Sequence, residues 1–148
     1  MRLLIVLHLL GSAVWVGGHL VLATVILPRA LKRRDPAYLL AFESAFERIG
    51  IPALIVQVLT GLDLARRWVP MSQWFSPTTP QGWLVLTKLG LLGLTIALAL
   101  HARLRLIPRL RPETLPTLAA HIVAVTLIAV AFLVCGVGLR KDCHGLNA

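Results

Sequence analysis

Four of the five histidines in this chain lie inside apolar runs, where an imidazole needs a partner to be stable. The stretch HLLGSAVWVGGHLVLATVILP holds two of them, His8 and His19. On a helix, positions eleven apart are offset by only about 20°, so both rings share one face. Trp15 lies between them, and Ser12, Leu22 and Ile26 complete the stripe. The two imidazoles stand roughly 16 Å apart along the axis. His101 and His121 occupy two later apolar runs, and Lys88 precedes His101 by thirteen positions. Imidazoles on facing helices are the axial ligands that a haem iron takes, and they also suit copper. The candidate cofactor-binding set is therefore His8, Trp15, His19, Lys88, His101 and His121, with the four histidines as metal ligands. No catalytic residue follows from the pattern.

Such residues have to be held by membrane-spanning helices. Hydrophobic residues make up 57% of the chain, charged residues 14%, and the mean hydropathy is +0.82. These values lie outside the soluble range and inside that of polytopic membrane proteins. Four segments, about 3–27, 49–68, 82–107 and 115–139, each approach the ~20 apolar residues needed to cross a bilayer. The expected fold is an all-α integral membrane four-helix bundle, one transmembrane domain over residues 1–148. The apolar run after Arg2 is too long for a signal-peptide core, so it reads as a retained first span. Pro28 is expected to end that helix. The connector DPAYLLAFESAFERIG reads as a short interfacial helix or an extension of the second span.

The net charge of +9 does not point to nucleic acid, because the basic residues flank apolar runs as topology determinants do. Nine Lys and Arg residues border the first and third connections, from Arg29 to Arg48 and from Arg103 to Arg111. Five border the opposite side: Arg2, Arg66, Arg67, Arg140 and Lys141. This bias places both basic connections in the cytoplasm and both termini on the periplasmic side of a bacterial inner membrane.

Counting residues from each span end sorts the polar groups into two levels. His8, Asp63 and Lys88 fall roughly 7–9 Å beneath the outer surface, and His19, His101 and His121 roughly 9–13 Å from the inner one. Lys88 and His101 are about 140° apart around their helix, so both cannot point at the bundle axis. Simpler roles compete with this picture. Asp63 has Arg66 and Arg67 one turn away, Lys88 has a stem long enough to snorkel, and Gly17, Gly18, Gly90 and Gly93 suit close helix packing. Cys135, Cys143 and His144, with Met1 and Met71, offer a weaker copper(I) set or a disulfide that a short tail does not require.

The segment LHLLGSAVWVGGHLVL…LP around His8, Trp15, Gly17 and Gly18 resembles the first helix of the copper-resistance protein D (CopD) family. It is also similar to the related HemJ-type membrane proteins, a protoporphyrinogen oxidase group. LTGLDLARR resembles the TGL-containing helix of the CopD-like group. GWLVLTKLGLLGLTIALALHARL matches the HemJ-type order of Trp, Lys and then His. The resemblance implies that His8 and Lys88 are the functional histidine and lysine of that pattern. It implies b-type haem in the bundle on the HemJ-type side and copper passage across the inner membrane on the CopD side; His19 and His121 are additional to the pattern.

Three functions remain open. The first is a haem b protein engaged in membrane electron transfer, with Arg103 pairing a propionate. The second is a copper-binding or copper-transport protein, and the third an accessory subunit of a respiratory complex. Haem is preferred to copper because the histidines lie within spans and soft sulfur ligands are few. The partners expected are the lipid bilayer and a redox protein or a second copy of the chain.

Overall fold

A computed structural model describes residues 1–76 and 78–144, with side chains as far as Gly136. Among the described residues, all regular structure is helical. Four helices are long and apolar enough to cross a membrane: α1 (Arg2–Arg33), α2 (Pro36–Trp68), α3 (Pro80–Arg109) and α4 (Leu115–His144). The chain is an all-α, multi-pass membrane protein, as its composition predicts.

Pro28 does not end α1. A π turn over Leu22–Ile26 lies just before it, and the helix continues to Arg33. Proline lacks an N–H and its ring presses on the carbonyl four residues earlier, here Thr24 inside the wider turn. The same device recurs in α3, where a π turn over Ala102–Leu106 precedes Pro108. α1 stops at Arg34, whose φ of 52° makes it the one non-glycine residue with positive φ among those described. Arg34→Gly is expected to raise stability by about 0.5–1 kcal/mol, the left-handed penalty relieved less the freedom added to the unfolded chain. A lower midpoint for this variant in detergent unfolding would show that the arginine side chain contributes more than its backbone loses.

Asp35 caps α2, its carboxylate accepting the Tyr38 N–H at 3.1 Å. Of the two readings of the connector, the structure takes the extension: α2 runs unbroken through Pro52 to Trp68. α1 packs along α2 and also on α4, while α3 packs mainly on α4. α2 and α3 are joined by Arg103, which donates to Glu47 at 2.5 Å. The tightest core, with Leu22, Leu27, Ala30, Leu39, Leu115 and Leu118, lies where α1, α2 and α4 meet near the first connection. Many large apolar side chains face outward, among them Leu3, Leu59 and Leu127. In a spanning protein these meet lipid tails.

Candidate metal-binding site

His8 and His19 do share a face of α1, and that face is turned to α2. The His8 Nδ1–H points at the Gln57 carbonyl (2.9 Å) and at Thr60 Oγ1 (3.1 Å). The ring lies over Gly61, where a Cβ would come within 2.9 Å of His8 Cε1. The side-chain Oε1 of Gln57, whose carbonyl meets His8, is buried with no hydrogen-bond partner among the described residues. His19 is 9% exposed and donates Nδ1–H to the Trp15 carbonyl at 2.9 Å. Its ring packs on Trp15 (centroids 4.4 Å apart) and against the edge of Phe46 (5.6 Å). Thr126 of α4 donates to the His19 carbonyl at 3.3 Å, so this turn of α1 is clamped from two sides. Trp15 thus lies in direct contact with His19.

The inner trio expected from depth is only partly assembled. His101 of α3 and His121 of α4 meet, with Nδ1 of the first 2.9 Å from Nε2 of the second and the rings stacked at 4.9 Å. His19 is held apart from them by its own aromatic contacts. His121 donates its Nδ1–H to the Thr117 carbonyl at 3.2 Å, which leaves Nε2 as a bare lone pair to accept from His101.

The outer trio is not formed either. Asp63 is taken by Arg66 (2.6 Å) and Arg67 (2.8 Å), as the one-turn spacing allows. Lys88 reaches α4 instead, its Nζ 4.0 Å from where a Cβ on Gly136 would stand. Its long stem overcomes the angular offset that separates it from His101 on α3. Arg103, expected to pair with a propionate, is engaged with Glu47. Of the four glycines assigned to close packing, only Gly18 is in such a position; a Cβ on Gly17, Gly90 or Gly93 would meet nothing within 4 Å. Phe46, which fills the space left by Gly18, carries no sequence signal beyond its place in the amphipathic connector. Cys135 is a half-buried free thiol, while the side chains of Cys143 and His144 lie outside the described residues.

The histidine pair can be tested against the two groups considered. Two axial nitrogens of one haem stand about 4 Å apart across the iron, given metal–nitrogen bonds near 2 Å, with the macrocycle between them. Rings stacked in direct contact at 2.9 Å do not fit that arrangement. Two cis ligands on one metal, each 2.0–2.1 Å away at a right angle, stand about 2.9 Å apart. The pair has that spacing, both facing nitrogens become lone pairs once the His101 proton moves from Nδ1 to Nε2, and the Thr117 carbonyl already orients one ring as carbonyls do around bound metals. Among the described residues no cage of three or more His, Cys, Asp or Glu side chains forms, so the remaining positions on such a metal would fall to water or other small ligands.

Comparison with curated proteins and with solved structures gives no match. The family model of copper resistance protein D matches residues 40–139, about two thirds of the chain. The match runs through α2 and α3 into α4, and so takes in Lys88, His101 and His121 while leaving His8 and His19 outside. The chain belongs to the copper resistance protein D family of membrane proteins.

Proposed function

We propose that this chain handles copper in a bacterial inner membrane and that His101 and His121 are the residues that contact the ion. The observation carrying this reading is the 2.9 Å approach of two imidazole nitrogens from different helices, one with its tautomer set by a backbone carbonyl. Nitrogen and oxygen ligands in tetragonal geometry suit Cu(II), and both histidines are open enough for exchange. The family supports copper as the cargo. His8 and His19, with their Nδ1 atoms engaged inside the α1–α2 contact, act as polar packing that fixes these two helices.

The test is copper loading of the purified full-length protein. Cu(II) should bind at one equivalent, with an electron paramagnetic resonance spectrum showing hyperfine coupling to two imidazole nitrogens. Protein made with ample haem that showed a Soret band and no such copper signal would replace this reading with the haem one. If neither copper nor haem were held, the accessory-subunit reading would stand.

The orientation belongs to the same proposal: residues 29–48 and 102–114 face the cytoplasm, by the nine-to-five bias of basic residues. A cysteine substituted at Ser44 should then resist impermeant thiol reagents in intact spheroplasts. Rapid labelling there would invert the topology.

A further inference from the structure

We propose that the cleft beside His101 is a binding site for a phosphate group, held by arginines that the copper pair does not use. His101, Arg105, Leu106, Arg109 and Thr114 line an open cleft of about 520 Å³ at the end of α3. Positions 101, 105 and 109 come to one side of α3 across its π and final tight turns. Arg103, two positions from His101, turns to the other side and is neutralised by Glu47. Arg105 and Arg109 have no carboxylate partner among the described residues, although Glu113 is on the adjoining connector. Two exposed guanidiniums facing one concavity form a site for a multivalent oxyanion, because each can donate two parallel N–H bonds to phosphate oxygens.

Two further features hold the cleft in shape. Thr114 accepts the Arg111 N–H at 2.9 Å, which folds the connector back to close the rim. Pro108 and the π turn before it end the regular helix there, so Arg109 lies on a tight final turn. The cleft occupies the last two turns of α3, where basic residues interrupt the apolar sequence. Phosphate chemistry is common to an anionic lipid headgroup and to a soluble phosphate, and the experiment separates the two sources.

Delipidated full-length protein would be titrated with phosphatidylglycerol, phosphatidylcholine and inorganic phosphate, and bound ligand counted by native mass spectrometry. Arg105→Gln/Arg109→Gln should bind the anionic ligand about 25-fold more weakly than wild type, roughly fivefold per guanidinium. Arg29→Gln/Lys32→Gln, which removes the same charge from exposed positions on α1, should bind as wild type does. Preference for phosphatidylglycerol identifies a lipid headgroup as the source, and equal response to inorganic phosphate identifies a soluble ligand. Loss of binding in both double variants would reduce the effect to diffuse surface charge and overturn the site. Undiminished binding in Arg105→Gln/Arg109→Gln would do the same. Because that variant keeps both imidazoles, its copper signal reports separately on the copper reading.

Discussion

Gly18→Ala is expected to destabilise the bundle by about 2–3 kcal/mol, the upper part of the range for overfilling a packed site. A Cβ there would stand 2.0 Å from Phe46 Cε2 and 2.2 Å from its Cζ. The ring has little room to retreat. A Cβ on Gly50 would lie 2.9 Å away on its other edge, and the ring also stacks on Phe42 and touches Trp15 and His19. The added methyl group would therefore push α1 from α2 at the level of His19. Gly17→Ala, one position earlier, has open space and should be neutral or slightly stabilising, since alanine is the better helix former. Opposite signs at adjacent glycines isolate contact from propensity. In a Phe46→Leu background the Gly18→Ala effect should shrink by half or more, measured by denaturant unfolding of purified protein. An unchanged effect in that background would locate the strain elsewhere.

Apolar length and flanking charge made the four spans legible in the sequence, and the shared face of His8 and His19 followed from an eleven-residue spacing. Two kinds of information were missing. Depth arithmetic sets the level of a residue along a helix but not the neighbour it faces. It therefore grouped His19 with His101 and His121, although His19 turns to Trp15 and Phe46. It likewise grouped Asp63 with His8 and Lys88, although two arginines on its own helix reach it first. The second gap concerns backbone irregularity. Pro28 reads as a terminator in isolation, and nothing in LATVI announces the π turn that lets the helix pass it. The meeting of His101 and His121 depends on how α3 crosses α4, which no single-helix periodicity encodes.

The single variants His101→Ala and His121→Ala should each weaken copper binding by at least about 100-fold, beyond the 10–100-fold typical of losing an outer-shell partner alone. Either change leaves one imidazole, and the chelate formed by two helices is lost. Stability should move little, by roughly 0.5–1.5 kcal/mol for one partly exposed hydrogen bond. The two variants should also differ from each other. Removing His101 leaves a ring whose Nε2 is still presented by the Thr117 carbonyl, so residual copper should show coupling to one nitrogen of fixed orientation. Removing His121 leaves His101 without a neighbour to orient it, and its residual signal should be weaker and broader. His8→Ala should leave the copper spectrum intact while loosening the α1–α2 contact through the lost bonds to Gln57 and Thr60. Copper binding that survived in His121→Ala but vanished in His8→Ala would move the metal from the α3–α4 pair to the α1–α2 face.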